Sequence, residues 1–446
     1  MSLPTYSQYK DSGTAIVGAV PHHWQMKPVK AIASINDDVL PETTEPTYEL
    51  TYVDIGSVSL GSGIERTETF TFKDAPSRAR RLVRDGDVII STVRTYLKAI
   101  ASIVEPPENL VVSTGFAVVR PLDMITPGFA KYALQSPAFV DTVISRSTGV
   151  SYPAINASDL ARIALPVPPR DEQFTIATFL DRETSKIDAL IAEQEKLLEL
   201  LAEKRQATIS HAVTRGLNPD VPLRDSGVEW LGAVPAHWEV VGLTKYLDSI
   251  VDYRGRTPTK VDNGVFLVTA KNIRSGAIDY EASQEYIDVA EYDEVMRRGR
   301  PLKGDVLFTT EAPLGQVAIV DREDIALAQR IIKFRPAPRH LDSAYLKVWI
   351  MGSACQFNLE LLATGSTALG IKGSKVGQVR LCLPPLEEQQ EIVRHINIEL
   401  SKLSALDAES KRAIELLKER RSALISAAVT GKIDVREHSS ALAAAA

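Results

Sequence analysis

The stretch that decides the fold spans residues 168 to 214 and reads PPRDEQFTIATFLDRETSKIDALIAEQEKLLELLAEKRQATISHAVT. Two prolines followed by Asp171 and Glu172 are typical of a helix start, because proline presets φ and carboxylates oppose the positive end of the helix dipole. Gly216 provides a stop signal. Around the polar Gln194, apolar residues follow coiled-coil spacing, which predicts a seam at Ile187, Leu190, Leu197 and Leu201. The pattern predicts one long helix that packs against a partner helix.

The chain contains such a partner. Residues 384 to 430 read PPLEEQQEIVRHINIELSKLSALDAESKRAIELLKERRSALISAAVT and match the first stretch without a gap, at a constant offset of 216 residues (384 minus 168). The predicted seam recurs at Leu403, Leu406 and Leu417. We therefore expect two long helices related by an internal repeat.

The repeat extends beyond the helices. Residues 9 to 24, YKDSGTAIVGAVPHHW, return at 223 to 238 as LRDSGVEWLGAVPAHW. We interpret the His-Trp pair that ends each of these segments as structural packing. Each repeat thus consists of a lead-in with a tryptophan, a middle part and a long helix.

The two middle parts share landmarks but differ in detail. Each has an apolar run after a Gly-Asp turn, in LVRDGDVIIS at residues 82 to 91 and PLKGDVLFT at 301 to 309. Further apolar runs favour small sheets, and the segments 127 to 136 and 342 to 353 favour short helices. The predicted fold class is therefore α+β in both middle parts. A repeated scaffold with divergent insertions is expected if the two middle parts recognise different things.

Composition limits the class of protein. The 446 residues exceed the usual size of one domain, so two or more domains are expected. We find neither a signal peptide nor an apolar run long enough for a membrane span, and the two cysteines are too few for a disulfide framework, which together favour a cytoplasmic protein. The net charge of −6 does not suggest nucleic-acid binding, but an average hides local basic patches.

The sequence contains no complete catalytic or cofactor-binding motif that we recognise. GSTALG at residues 365 to 370 has the glycine spacing of a phosphate-binding loop, but Ile371 stands where that motif requires lysine. The sequence has no dinucleotide fingerprint, no zinc-protease motif and no motif of an adenine methyltransferase. We therefore predict no catalytic residue, no metal site and no cofactor in this chain.

Basic and polar clusters in the middle parts are suited to DNA, because arginine pairs with guanine, asparagine with adenine, and lysine with phosphate. The predicted DNA-binding residues of the first middle part are Arg78, Arg80, Arg81, Arg94, Tyr96 and Lys98, with Arg84 beside them. Those of the second are Arg254, Arg256, Lys260, Lys271, Asn272 and Arg274. The alternative is that each cluster is an ordinary solvated loop.

Several motifs in this order resemble one family. The P-P-x-x-E-Q start of both helices, the DSG-x4-GAVP-x-HW lead-in, and RGRTP with TTEAPLGQVA in the second middle part look like the specificity subunit of type I restriction-modification enzymes. The resemblance implies two target-recognition domains, separated by two long antiparallel helices, that read the two halves of a split double-stranded DNA target. It also implies that the chain is not itself an enzyme. Two methyltransferase subunits with S-adenosylmethionine and two motor-nuclease subunits with ATP and Mg²⁺ would carry the chemistry.

With this resemblance we expect five segments. They are a first recognition domain at 1 to 166, a first spacer helix at 167 to 216, a second recognition domain at 217 to 382, a second spacer helix at 383 to 432 and a tail at 433 to 446. Two alternatives remain: a coiled-coil scaffold that binds protein instead of DNA, and a methyltransferase or nuclease that acts alone.

Overall fold

The computed structural model describes residues 4 to 255, 258 to 365 and 369 to 437. The chain divides into two compact units: the first comprises 1 to 194 with 412 to 446, and the second comprises 195 to 411. The helices are α1 (Val29–Ile32), α2 (Pro127–Gln135), α3 (Pro137–Ser145), α4 (Ala157–Ala161), α5 (Arg170–Arg215), α6 (Tyr292–Val295), α7 (Ser343–Met351), α8 (Ser353–Leu362) and α9 (Leu386–Val429). The two predicted long helices, α5 and α9, are confirmed, and each contributes one part to each unit.

The long helices are antiparallel within each unit. In the first unit, Leu180 near the start of α5 shares a core with Val429 at the end of α9. In the second unit, Val213 near the end of α5 shares a core with Ile392 near the start of α9. The compact units therefore do not follow the five segments expected along the chain, because each unit combines opposite ends of the two helices.

The apolar seam differs from the predicted one. Leu190, Leu197 and Leu406 are 46%, 37% and 52% exposed, so the prediction for these three positions is wrong. The buried and half-buried positions that recur every three or four residues are Thr184, Ile187, Ile191, Gln194, Leu198, Leu201 and Arg205 on α5, and Leu403, Asp407, Ser410, Ile414, Leu417 and Arg421 on α9. An α-helix turns about 100° per residue, so Leu190 and Leu197 lie about 60 to 80° away from Ile187 around the axis. Ile191 and Leu198 occupy the seam instead.

Each helix pair carries one polar contact at a repeated position. In the first unit Arg421 donates to Asp188, with Nε 2.9 Å from Oδ1. In the second unit Arg205, which lies 216 residues before Arg421, donates to the hydroxyl of Ser404 at 2.8 Å. The repeat in the sequence is therefore also a repeat of contacts, with a charged acceptor in one unit and a neutral acceptor in the other.

The P-P-x-x-E-Q motif attaches each long helix to its recognition domain. The side chain of Gln173 is buried, accepts the amide of Thr126 at the start of α2 (2.8 Å) and donates to the carbonyls of Met124 and Pro168 (3.0 Å each). Gln389 repeats all three contacts, with Asp342, His340 and Pro384 at 2.8 to 2.9 Å. The glutamate before each glutamine contacts the lead-in of its repeat. Glu172 lies 2.8 Å from Nε2 of His23, and Glu388 lies 2.8 Å from Nε2 of His237.

A glycine lets the end of each long helix approach a buried tryptophan. Gly216 and Gly431 have φ of +76° and +71°, in the left-handed region that ends helices. A Cβ on Gly216 would lie 3.3 Å from Trp238, and one on Gly431 would lie 2.3 Å from Pro21 and 3.2 Å from Trp24. The His-Trp pairs therefore have the structural role predicted for them.

The first unit is completed by residues from both ends of the chain. The amide of Asp434 donates to the carbonyl of Pro4 at 2.7 Å, Val435 is fully buried, and the guanidinium of Arg436 lies 4.9 Å from the ring centre of Tyr6. Part of the predicted tail is thus packed. Residues 438 to 446 lie outside the described residues.

The sheets of the first unit confirm the α+β prediction. Its strands are β1 (Tyr9–Asp11), β2 (Ala19–Pro21), β3 (Gln25–Pro28), β4 (Ala33–Ile35), β5 (Glu49–Val53), β6 (Val58–Ser59), β7 (Gly63–Ile64), β8 (Glu68–Thr71), β9 (Ala79–Leu82), β10 (Val88–Ser91), β11 (Ile100–Ser102), β12 (Leu110–Ser113), β13 (Phe116–Pro121) and β14 (Ala164–Val167). They form four-stranded sheets in the orders β4-β13-β10-β11 and β8-β5-β12-β9, and the pairs β1-β2, β3-β14 and β6-β7.

The second unit repeats the first of these sheets and modifies the other. Its strands are β15 (Leu223–Asp225), β16 (Ala233–Pro235), β17 (Glu239–Gly242), β18 (Leu247–Asp252), β19 (Lys260–Val261), β20 (Val265–Val268), β21 (Ile273–Arg274), β22 (Ala277–Ile278), β23 (Tyr286–Ile287), β24 (Val306–Thr309), β25 (Val317–Ile319), β26 (Ile325–Leu327), β27 (Ile331–Pro336) and β28 (Arg380–Leu383). The order β18-β27-β24-β25 matches β4-β13-β10-β11. The other sheet, β19-β23-β20-β26, keeps the parallel pair, β20 with β26 as β5 with β12, but β26 lies at its edge whereas β12 is an inner strand.

The repeated sheet lies between two cores in each unit. On β10, Val88 and Ile90 pack into the core that contains the helices, whereas Ile89 packs into the core of the other sheet. On β24, Phe308 packs into the core that contains the helices, and Leu307 packs into the core of the other sheet. Burial on both faces explains why these strands are continuous apolar runs.

Candidate nucleic-acid interface

Two loops meet beside the repeated sheet in the first unit. The connection from β10 to β11, residues 92 to 98, pairs with residues 147 to 155, and we refer to these segments together as the first loop pair. Ala154 bridges to both Val93 and Thr148, and the amide of Ile155 donates to the carbonyl of Thr92 at 2.9 Å. The hydroxyls of Thr95 and Ser147 are 2.7 Å apart. These contacts hold the two loops as one surface.

The side chains on the first loop pair are basic, aromatic and exposed. The guanidinium of Arg94 lies 4.9 Å from the ring centre of Tyr152. Tyr96 is 52% exposed, Tyr152 is 65% exposed, and Val150 is fully exposed. Lys98 is also exposed. The predicted residues Arg94, Tyr96 and Lys98 therefore lie on one exposed surface, which the structure extends to Tyr152 and Val150.

The second unit has the same loop frame with different side chains. Gly370 bridges to Glu311 and Thr364, and the amide of Ile371 donates to the carbonyl of Thr310 at 2.9 Å. We refer to residues 310 to 316 and 363 to 371 as the second loop pair; residues 366 to 368 lie outside the described residues. Ala312 has the same φ of +50° as Arg94. Glu311 forms an ion pair with Arg330 at 2.8 Å. The second loop pair therefore carries an ion pair, whereas the first carries the contact between Arg94 and the ring of Tyr152.

The arginine cluster of the first unit lies on and beside β9, an edge strand. Arg78 is exposed, and the guanidinium of Arg80 stacks 4.7 Å from the ring centre of Phe72. Arg81 is half-buried, and burial lowers the pKa of its guanidinium. Arg84 pairs with Asp38 at 2.7 Å. Of these four, the exposed Arg78 is the best placed to contact a polyanion, and Arg80, which is half-buried like Arg81, comes next.

The cluster at residues 253 to 260 of the second unit includes the edge strand β19. Arg254 forms an ion pair with Asp252, with Nη2 2.6 Å from Oδ2, and this hydrogen bond raises the pKa of its guanidinium. Lys260 pairs with Glu285 at 2.8 Å. Arg256 lies outside the described residues. A cleft of about 130 Å³ beside Arg254 is lined also by Arg297 and Arg298.

The remaining predicted residues follow β20. Lys271 and Arg274 are exposed, and Arg274 Nε lies 3.7 Å from Asp279. Asn272 is fully buried. Its side-chain oxygen accepts the amide of Thr269, and its side-chain nitrogen donates to the carbonyls of Asp279 and Ser283. The structure therefore contradicts the predicted contact of Asn272 with DNA, because its amide already binds the surrounding loops.

Sequence reasoning did not identify Val150 and Tyr152. A signal was present, because the segments after the repeated Thr-Gly at 148 to 149 and 364 to 365 diverge, VSYPA against STALG. Divergence inside a repeated frame marks positions that the scaffold does not need.

Within the described parts of the chain, no three His, Cys, Asp or Glu side chains lie close enough together to hold a metal ion. Nor does any described helix combine the length and apolarity required to cross a membrane.

Comparison with known proteins identifies the family. The family model described as the type I restriction modification DNA specificity domain matches residues 21 to 200 and 270 to 416. The chain belongs to this family. The matched regions cover most of both repeats, so the chain is a type I specificity subunit with two DNA-recognition domains. Specificity subunits are not catalytic, and catalysis belongs to their partner subunits.

Individual relatives are distant in sequence but cover most of the chain. A Methanocaldococcus jannaschii protein assigned to the MjaX type I restriction enzyme as its specificity subunit is 23% identical, over 94% of this chain and 96% of its own length. The EcoKI specificity subunit of Escherichia coli K12 is 22% identical, over 71% of this chain and 68% of its own length. A solved chain from a study of complex assembly and conformational transition of the type I R-M system superposes with a TM-score of 0.66 at 24% identity, over 92% of this chain and 98% of that chain. This specificity subunit therefore shares its fold with that solved chain.

Proposed function

We propose that this specificity subunit reads an asymmetric, two-part target in double-stranded DNA, with one half read by the recognition domain of each unit. The observation that supports this most strongly is the pair of loop frames, which share backbone contacts and left-handed positions but carry different side chains. Two copies of one reader would require a palindromic target. Two different readers on one scaffold fit two different half-sites.

The residues we assign to DNA contact are exposed, except Arg80 and Arg254, which are half-buried. In the first unit they are Arg78, Arg80, Arg94, Tyr96 and Lys98, and in the second they are Arg254, Lys260, Lys271 and Arg274. Arg254 and Lys260 are now paired with carboxylates, so each would exchange its partner for a phosphate on binding. Arg256 keeps its predicted role as a proposal, and Arg81 is a weaker candidate because burial lowers the pKa of its guanidinium.

Binding to DNA with one half-site scrambled tests this assignment. Lys271→Ala should weaken binding when the second half-site is intact, and Arg78→Ala should do so for the first. A phosphate contact should lower affinity for all sequences and reduce the salt slope by about one unit, whereas a base contact should relax one position. Lys196→Ala, an exposed lysine on α5 paired with Glu199, is the matched control. If the parent, both test variants and the control gave indistinguishable salt titrations, the assignment would be contradicted.

Partner binding is proposed for an exposed leucine face on the long helices. In the first unit it is formed by Leu190 and Leu416, which are 46% and 55% exposed. In the second unit the residues 216 positions away from these, Leu406 and Leu200, are 52% and 48% exposed. Apolar side chains kept in water at repeated positions favour two equivalent docking sites for helices of two methyltransferase subunits.

The composition of the assembled complex tests that proposal. Replacing Leu190 and Leu416 by glutamate should leave a complex with one methyltransferase subunit instead of two, and so should the same change at Leu200 and Leu406. Lys418→Glu, an exposed helix position, should change nothing. Retention of two methyltransferase subunits in both leucine variants would refute the proposed docking sites.

The chemistry is assigned to the partners. We expect the purified chain alone, supplied with S-adenosylmethionine, ATP and Mg²⁺, neither to methylate nor to cleave DNA, and to support both reactions once methyltransferase and motor-nuclease subunits are added. Activity of the pure chain would contradict this assignment. The two motor-nuclease subunits and the cytoplasmic location also remain proposals.

A further inference from the structure

The first loop pair holds Arg94 in a strained backbone conformation. Arg94 has φ of +50° and ψ of +47°, the left-handed region that residues other than glycine rarely adopt. Such a backbone conformation is strained and persists only where neighbouring contacts hold it. Here the Val93 bridge to Ala154 and the Thr95 hydroxyl contact to Ser147 hold the chain on both sides of Arg94. The guanidinium therefore leaves the scaffold in a defined direction.

Arg94 differs in its partner from Arg84 and Arg254; like Arg80, it lies over an aromatic ring. Arg84 and Arg254 form ion pairs with carboxylates at 2.6 to 2.7 Å. Among the described residues, no carboxylate lies within ion-pair distance of Arg94; its neighbour is the exposed ring of Tyr152, 4.9 Å away. A ring constrains the plane of the guanidinium but leaves its N–H donors unused. Arg94 is thus oriented and available.

The surroundings favour a base over a phosphate as the ligand. Val150 is fully exposed, and Tyr96 and Leu97 are 52% and 49% exposed. A phosphate contact gains nothing from apolar neighbours. Base edges in the major groove do, because the thymine methyl group is apolar and lies beside the guanine and adenine acceptors.

We propose that the first loop pair enters the major groove of the first half-site and that Arg94, supported by Tyr152, reads a guanine through its O6 and N7 atoms. Val150 and Tyr96 contact the bases beside it. This inference rests on the proposed reading of DNA by the first unit, and it adds Tyr152 and Val150 to the residues that determine specificity. The second loop pair carries Ala312 at the position of Arg94, so it cannot make the same contact.

The experiment uses the assembled methyltransferase complex of the full chain. Sequencing of methylated adenines first gives the target of the parent, and binding is then measured on duplexes in which each guanine of the first half-site is replaced by 7-deazaguanine, which lacks the N7 acceptor. One substituted guanine should weaken binding of the parent and should not weaken binding of Arg94→Ala any further. Arg94→Ala should lose about ten- to a hundredfold in affinity for the first half-site and accept other bases at that position.

The supporting residue is tested by Tyr152→Phe and Tyr152→Ala. The first keeps the ring and should keep specificity; the second should relax the position read by Arg94. Arg162→Ala, at an exposed arginine of the same unit paired with Asp159, is the matched control. Unchanged recognition of the second half-site in every variant reports that the chain is folded.

The outcomes separate the inference from the function on which it rests. An equal loss on all DNA sequences would make Arg94 a phosphate contact, and no loss would remove the first loop pair from the interface; either result overturns the inference and leaves a two-part target intact. If the parent complex has no two-part target, the proposed function itself fails.

Discussion

In the first unit Arg120 joins two carboxylates, whereas in the second unit one carboxylate joins two cations. Arg120 contacts Asp38 at 2.6 Å and Asp87 at 2.7 Å. The residue equivalent to Asp87 is Asp305, which contacts Arg335 at 2.7 Å and Lys333 at 3.3 Å. Each aspartate follows the repeated glycine that precedes β10 or β24. The same position therefore shares one cation with a second carboxylate in the first unit and binds two cations in the second.

This difference shows where the two repeats were free to change. Backbone roles are kept: Asp87 accepts the amide of Arg84 and Asp305 accepts the amide of Leu302, both at 2.8 Å. Side chains at the sheet edges are not kept. Strand β9, with the arginine cluster, belongs to the first unit, and β19, with Lys260, belongs to the second. The contacts that build the unit are repeated, and those that face outward differ.

The largest expected effect tests whether the two frames are equivalent. Trp24→Ala and Trp238→Ala should each cost about 3 to 5 kcal/mol, because each removes a fully buried ring that fills the space beside a helix-ending glycine. Hydrogen exchange resolved along the chain should show that each variant loosens its own unit. The control is Tyr9→Phe, which keeps the ring and loses the hydroxyl contacts to the Gly431 carbonyl and the Tyr6 amide. Trp230→Ala is not used, because Trp230 is half-buried and its ring packs against Phe357. A large effect at one tryptophan only would mean that the frames are not equivalent.

The charge arrangements should respond unequally to loss of the carboxylate. Asp305→Asn leaves Lys333, which is 1% exposed, without its counter-charge and should cost about 3 kcal/mol. Asp87→Asn should cost about 1.5 kcal/mol, because Asp38 still pairs with Arg120. Urea denaturation measures both. Equal costs would show that the second cation does not matter.

Acid should distinguish Asp305→Asn from the parent. Burial raises the pKa of Asp305, but the contacts with Arg335, the Leu302 amide and Lys333 outweigh it, so the pKa is lowered overall. The stabilisation from a lowered carboxyl pKa is present above the unfolded value, about 3.9, and is lost as pH falls through the folded value. The parent should therefore lose stability below about pH 4, and Asp305→Asn should show a shallower loss. A parallel pH profile in the variant would contradict this.

The glutamine contacts should give an intermediate and equal effect. Gln173→Ala and Gln389→Ala each leave three backbone groups without their partner, at a cost of about 2 kcal/mol. Gln390→Ala, the exposed neighbour of Gln389, is the control and should be neutral. Thermal unfolding of the three variants measures the costs. If one glutamine variant is neutral, its recognition domain is held to the long helix by other contacts.

The smallest effect concerns the polar contacts of the long helices. Arg421→Ala and Arg205→Ala should each cost less than about 1 kcal/mol, because both contacts reach the surface. Only the Arg421 effect should shrink at high salt, since its acceptor Asp188 is charged and the acceptor of Arg205, Ser404, is neutral. Denaturation at low and high salt measures the difference. Equal salt dependence would mean that the ion pair contributes no measurable stability.

Prediction from the sequence succeeded where the signal was periodic and failed where it depended on a neighbour. Long helices, apolar strands and the repeat were all predicted, because each follows from spacing within a short segment. The prediction for Asn272 failed because a polar residue in a loop has the same sequence pattern whether it faces solvent or binds the loop itself. Tyr152 was missed because its importance depends on Arg94, which lies more than fifty residues away in the chain.

By itself, the sequence determined the two repeats, the length of both helices, the α+β middle parts and the family, since these depend on local spacing and on motifs in order. The tertiary structure decided three other matters. It chose Ile191 and Leu198 over Leu190 and Leu197 for the seam, because two overlapping stripes satisfy the same spacing and only contact selects one. It completed the first unit with residues 431 to 436, and it placed Arg94 on Tyr152. Each of these depends on a contact between distant segments, whose free energy no local pattern encodes.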